Sequence, residues 1–131
     1  MDRPVLSVAI LMLIAIFGGV HWYQTNHRQA QVVDEHEEAL IAAAVAKGRQ
    51  PIHLYTATWC GYCKHLKADL DQSGVSYIDH DVESSSEGRQ FALGSDFSGV
   101  PVTVIGDSSF DGYEAEGLRL FFAEAGYKVT M

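Results

Sequence analysis

Cys60 and Cys63 are the only 2 cysteines in the 131-residue chain, and they stand a Cys-x-x-Cys apart. They lie in His53-Leu-Tyr-Thr-Ala-Thr-Trp-Cys-Gly-Tyr-Cys-Lys-His-Leu-Lys67, where an apolar, strand-like run gives way to a helix-like one. A Cys-x-x-Cys at such a junction, with no second pair elsewhere, reads as a redox dithiol. A tetrahedral zinc site would need further ligands, and none of the 6 histidines forms a tight pair at ligand spacing, so no metal is expected. The pair could also be a static staple, but so short a loop restricts the unfolded chain little.

The spacing gives the two sulfurs different tasks. At the first turn of a helix, the Cys60 sulfur faces unpaired backbone N–H groups and the positive end of the helix dipole, which favours thiolate. Cys60 is therefore the expected nucleophile. Cys63, one turn later on the same face, is expected to be more buried and to attack the mixed disulfide that Cys60 forms. Lys64 and Lys67 add positive charge to that turn, although both also suit a solvated helix face.

The pattern Tyr55-Thr56-x-x-x-Cys60-x-Tyr62-Cys63 resembles the active site of the glutaredoxins, small members of the thioredoxin superfamily. Trp59-Cys60-Gly61 is also similar to thioredoxins, so the later segments decide between the two. Pro51 opens a first strand, Ile52 to Thr56. A helix follows over about Gly61 to Gln72, with Leu66 and Leu70 inward and Ser73-Gly74 as its stop. Val75 to Val82 alternates and is rich in strand formers. Ser84-x-x-Glu87 has the form of a capping box and opens a short helix to Gly94. Pro101 opens a β-branched run to Gly106, Phe110 to Tyr113 is a hairpin partner, and Glu114 to Gly126 is the closing helix with Leu118, Phe121 and Phe122 inward. The order β-α-β-α-β-β-α predicts an α/β protein with a four-stranded mixed sheet flanked by helices. That is the glutaredoxin form of the thioredoxin fold; a thioredoxin proper has a further strand and helix before the active-site strand.

The resemblance implies a cis Pro101 facing Cys60, which leaves the Val100 N–H and C=O to pair with an extended thiol substrate. The residues alone equally allow a trans proline opening a strand. It also places Tyr62 beside the substrate, and Gly112, Tyr113 and Glu114 at the glutamyl end of glutathione. Two departures from the family pattern weaken that site. A basic residue usual before the first cysteine is Ala57 here, and the usual Gly-Gly is Asp111-Gly112, followed by a bulky phenol. A missing cation and an added carboxylate both disfavour an anionic tripeptide.

Ahead of this domain, Pro4 to Val20 carries no charge and is followed by His21-Trp22-Tyr23. At about 1.5 Å per residue it covers most of a roughly 30 Å hydrocarbon core, with the aromatic pair at the interface. A cleaved secretory signal is the competing reading, but no small-residue cleavage site follows. The expectation is a single-pass anchor over 1–26 meeting lipid through residues 4–23, a helical spacer over 27–50 and a glutaredoxin-like domain over 51–131. The spacer is rich in helix formers, Gly48 is placed to end it, and Val33, Leu40, Ile41, Ala44 and Val45 make a modest apolar stripe. Arg3 weighs for an N-terminus inside and a dithiol domain outside the cytoplasm, in a periplasm or equivalent space. A net charge of −8, from 17 acidic and 9 basic residues, argues against a nucleic-acid partner.

The expected function is membrane-tethered thiol–disulfide exchange on protein disulfides or glutathione mixed disulfides, with glutathione a possible reductant. The alternative is a [2Fe–2S] carrier with glutathione as co-ligand, which resembles what some glutaredoxins with Gly after the first cysteine do; Gly61 permits it. A binding domain that uses the fold without catalysis is the third reading, and the intact cysteine pair speaks against it.

Overall fold

The computed structural model describes residues 3–131, with side chains given for residues 10, 12–24 and 35–131. Helix α1 runs Arg3–Ala46, and Gly48 ends it in the left-handed region at φ 68°, where a side chain would be strained. The chain divides into two units, Met1–Glu38 and Ala39–Met131.

In the first unit, apolar side chains point outward: Ile10, Met12, Ile14, Phe17 and Val20 are between 50% and 77% exposed. Among the described residues, no helix is long and apolar enough to cross a membrane. The side chains of residues 4–9 and 11 of the expected anchor, and Val33 of the expected stripe, lie outside the described residues.

The second unit contains β1 Ile52–Thr56, α2 Gly61–Gln72, β2 Ile78–Asp81, α3 Ser86–Gly94, β3 Val102–Ile105, β4 Ser108–Asp111 and α4 Ala115–Glu124. The sheet order is β2-β1-β3-β4, with β1 and β2 parallel and the other pairs antiparallel. This is the expected mixed four-stranded sheet. Period-2 alternation in β1 turns Ile52 and Leu54 to one face, where they join Leu66 and Leu70 of α2, Ile105 of β3, and Leu118 and Phe122 of α4. Such a core is the main driving force for the fold, and losing one of its leucines costs about 2–5 kcal/mol. The tail closes over it: Tyr127 donates to the Gln50 carbonyl at 2.6 Å, and the Thr130 N–H donates to Ser73 Oγ at 2.9 Å. The opposite sheet face carries His53, Tyr55 and His80, and Phe91 of α3 stacks on Tyr55 with ring centroids 3.6 Å apart.

Three boundaries differ from the sequence expectation, each for a local reason. β2 begins at Ile78 rather than Val75, because β1 offers pairing positions only from His53 onward and Val75 is held by its N–H bond to the Leu70 carbonyl at the end of α2. β4 is Ser108–Asp111 rather than Phe110–Tyr113, because Gly106, at φ 58°, makes a two-residue turn with Asp107 that sets Ile105 against Ser108. The cap of α3 is Ser85, whose Oγ accepts the Gly88 N–H at 2.8 Å; Ser84 instead donates to Asp81 Oδ1 at 2.9 Å. The Ser84-x-x-Glu87 box therefore does not form.

Candidate active site

Cys60 is the N-cap of α2, with extended backbone at φ −78° and ψ 112°. Its Sγ accepts the N–H of Cys63 at 3.1 Å, a position that serine or aspartate oxygen fills in most helices. The two cysteines are joined as a disulfide with Cα atoms 5.3 Å apart. Cys63 is fully buried, and Cys60 keeps only 5% exposure among Ala57, Val82 and Val100. Cys63 is thus the more buried of the two, as expected, and in the disulfide form only an edge of Cys60 is open.

The loop before β3 lies directly on this sulfur. The Val100 carbonyl is 3.6 Å from Cys60 Sγ, and the Val100–Pro101 bond is cis. The Pro101 carbonyl accepts the Gly112 N–H at 2.9 Å, which brings the β4–α4 turn alongside. Tyr113 then lies against α2: its ring stacks on Tyr62 at 5.9 Å and meets His65 at 6.3 Å. Its hydroxyl donates to Asp69 Oδ2 at 2.7 Å, and that bond, with some burial, pushes the phenol above its ordinary value. Glu114, the N-cap of α4, turns its carboxylate onto the helix start, accepting the Glu116 N–H at 3.0 Å and the Gly117 N–H at 2.6 Å.

The rim beside the sulfur is aromatic. Trp59 and Tyr62 are 67% and 64% exposed, and the Trp59 indole donates to Glu83 at 3.1 Å. Of the two lysines on α2, Lys67 is paired with Asp79, which also accepts the Thr56 hydroxyl at 2.6 Å. Lys64 is exposed.

The profile of the glutaredoxin family matches residues 52–110. Two Mycobacterium tuberculosis relatives named as glutaredoxins, Rv3198A and MT3292, are each 36% identical over 59 residues, covering 43% of this chain and 69% of theirs. The chain belongs to the glutaredoxin family. A crystal structure of a mutant of the thioredoxin-like protein BC3987 superposes with a TM-score of 0.51 at 26% identity, over 55% of this chain and 94% of that one. The protein is accordingly a thiol–disulfide oxidoreductase with a Cys-x-x-Cys pair.

In this glutaredoxin Val100 lies against the Cys60–Cys63 pair, Gly112 is bonded to Pro101 and Tyr113 is stacked on Tyr62. Glu114, however, is engaged with its own helix. Asp69, which accepts the Tyr113 hydroxyl, and Glu83, which accepts the Trp59 indole N–H, carry no signal in the sequence that marks them. The sequence contains no tight histidine pair, yet β1–β2 pairing brings His53 Nδ1 to 2.9 Å from His80 Nε2. Ring centroids 5.2 Å apart and an interplanar angle of 7° make the rings nearly coplanar, meeting nitrogen to nitrogen. One ring N–H donates to the other ring's bare nitrogen, the direction being set by the tautomers.

Proposed function

We propose that this glutaredoxin is a membrane-tethered thiol–disulfide oxidoreductase in which Cys60 attacks and Cys63 resolves, acting on protein disulfides or on mixed disulfides. The observation that carries this reading is the Cys60 sulfur at the N-cap of α2, where it receives the N–H of Cys63, the residue to which it is also bonded. In the reduced protein the Cys60 thiolate attacks one sulfur of a substrate disulfide. The substrate S–S bond breaks, one substrate sulfur leaves as thiolate and takes a proton, and a Cys60–substrate mixed disulfide forms. Cys63 loses its proton and attacks Cys60 Sγ, which releases the second substrate thiol and leaves the Cys60–Cys63 disulfide. Two electrons pass from the dithiol to the substrate, and a thiol reductant restores the dithiol.

The helix start supplies a fixed donor and the positive dipole end where negative charge sits before attack and after resolution. Val100 borders the sulfur, where an extended substrate strand can lie, and Tyr62 is exposed on the first turn of α2. A cluster carrier would require glutathione as co-ligand, and that reading is not favoured.

The domain layout proposed is an anchor over 1–26, a spacer over 27–50 and the catalytic domain over 51–131, with the domain outside the cytoplasm. Support comes from the uncharged run Pro4 to Val20 and the outward apolar side chains of α1. A reporter fused after Met131 should be active only in its extracytoplasmic form; activity of a cytoplasm-only reporter overturns the orientation. Cys60→Ser should abolish disulfide turnover, whereas Cys63→Ser should accumulate mixed disulfides with substrate. Reduction of a small disulfide by the Cys60 variant at the wild-type rate refutes the role assignment.

A further inference from the structure

The turn that leaves β2 fixes one carboxylate beside the reactive sulfur. Val82 donates its N–H to the Thr56 carbonyl at 2.9 Å and packs against the cluster of Ala57, Cys60 and Cys63. Glu83 follows directly, so its backbone starts from the edge of the cysteine pair. The Glu83 N–H donates to Asp81 Oδ1 at 2.9 Å, and its carbonyl accepts Arg89 Nη1 at 3.1 Å. Its Oε1 accepts the indole N–H of Trp59 at 3.1 Å. Trp59 is covalently joined to Cys60, so the acid and the sulfur are held on either side of one residue.

Trp59 is 67% exposed, whereas tryptophan is on average largely buried. The bond to Glu83 fixes the indole by its edge and leaves most of the ring to solvent. An aromatic face is electron-rich and attracts a cation laid over it, most strongly when the ring is tryptophan. The carboxylate at the indole edge adds a full negative charge to the same place, and only one of its oxygens is engaged by the indole. Among the described residues no cation forms an ion pair with Glu83: Lys67 is held by Asp79, and Arg89 donates to the Glu83 and Ser84 carbonyls. The net charge of −8 also draws basic segments toward this chain from a distance.

We propose that Trp59 and Glu83 form a seat for a lysine or arginine side chain of a substrate polypeptide, the cation lying on the indole face and against the Glu83 carboxylate while the neighbouring cysteine meets Cys60. This redoxin accordingly selects cysteines flanked by basic residues. The inference rests on the thiol–disulfide reading and names the substrate class for that same site.

The test uses peptides blocked at both ends, each with one cysteine flanked on both sides by arginine, by glutamine or by glutamate. The peptide thiolate attacks Cys60 Sγ, the Cys60–Cys63 bond breaks, Cys63 leaves as thiolate and takes a proton, and a Cys60–peptide mixed disulfide forms. Its rate of formation is followed by mass spectrometry on the full-length chain in non-ionic detergent at low salt. Each rate is normalised to that peptide's rate with a free small disulfide, which removes the effect of flanking charge on the thiol itself. The wild type should react about fivefold faster with the arginine peptide than with the glutamine peptide, and the ratio should shrink as salt rises. Glu83→Gln keeps an acceptor for the indole N–H but removes the charge, and should at least halve the ratio. Glu83→Lys should reverse the order, making the glutamate peptide the fastest, and Trp59→Leu should lower the ratio. Glu124→Gln removes the same charge from the last turn of α4 and should leave the ratio unchanged. A wild-type ratio near one, an equal fall in Glu124→Gln and Glu83→Gln, or an order that survives Glu83→Lys overturns the inference while leaving disulfide exchange intact. If no peptide opens the disulfide at all, the oxidoreductase reading fails and the inference falls with it.

Discussion

In the Cys63→Ser variant, Cys60 is left as a single thiol at the N-cap of α2 with the backbone N–H of residue 63 still beside it. That N–H stands 3.1 Å from the sulfur, and a hydrogen bond to a charged acceptor is worth about 1.5–3 kcal/mol. The aligned peptide dipoles of the 12-residue helix add about 0.3–1 kcal/mol at its first turn. Burial acts the other way, since a sulfur with 5% exposure loses hydration when it ionises. Subtracting a desolvation cost of about 1 kcal/mol leaves a net preference for thiolate of about 1.5 kcal/mol, or about tenfold in the ionisation equilibrium. The assay is the pH dependence of iodoacetamide alkylation of Cys60 in the folded variant, compared with a short peptide carrying the same residues. The folded protein should reach half its limiting rate at lower pH than the peptide. Coincident profiles would mean that burial cancels the helix start, and Cys60 would then have no advantage over any other buried thiol.

Other perturbations test the frame around the site. Gly88→Ala places a Cβ into the Asp81 carbonyl group, 2.6 Å from its carbon and 2.7 Å from Ser85 Oγ, so α3 must move off β2; the cost should be about 1–3 kcal/mol, seen as a fall in the thermal midpoint. Tyr113→Phe removes the bond to Asp69, a charge-assisted hydrogen bond at a half-exposed site worth about 1 kcal/mol. Because the folded Tyr113 phenol ionises above its ordinary 10.0, its contribution is complete below pH 10.0 and disappears as pH rises through the folded value. The difference in stability between wild type and Tyr113→Phe should therefore vanish at strongly alkaline pH, and a difference that persists there would show that the bond is not its source. Tyr77, pushed up to about 12 mainly by burial and by Asp71, should be among the last phenols to ionise in a tyrosinate absorbance titration. Asp81 is held below the ordinary carboxyl range first by the Glu83 N–H and then by Ser84. Its stabilising effect is present above that range and is lost as pH falls through the folded value, so Asp81→Asn should narrow the acid-side loss of stability seen in equilibrium unfolding.

Read from the chain alone, the cysteine pair and its place between a strand and a helix are unambiguous, because both follow from local chemistry. Alternation fixes the β1 face, 3.6-residue spacing fixes Leu66 and Leu70, and glycine fixes the ends of α1 and α2. Local reasoning fell short where pairing partners decide the outcome. Ser108 and Ser109 carry little strand propensity, yet they form β4 because the Gly106–Asp107 turn lays them against Ile105 and Val104. Ser84 and Ser85 offer the same cap chemistry, and the packing of Gly88 against Asp81 selects Ser85.

The electrostatic character of the groove was only partly legible. Sequence revealed an extra acid and a missing base, but whether Glu114 receives a ligand or caps its own helix depends on where its carboxylate lies. Tyr113 and Asp69 are 44 residues apart, and His53 and His80 are 27 apart. No periodicity links such residues; the sheet order and the docking of α2 bring them together. The sequence by itself determined a dithiol at a helix start within a βαβαββα order, since those are short-range consequences of residue type. Only the tertiary structure decided which donors and acceptors around that dithiol were already satisfied, because that depends on distances between segments remote in the chain.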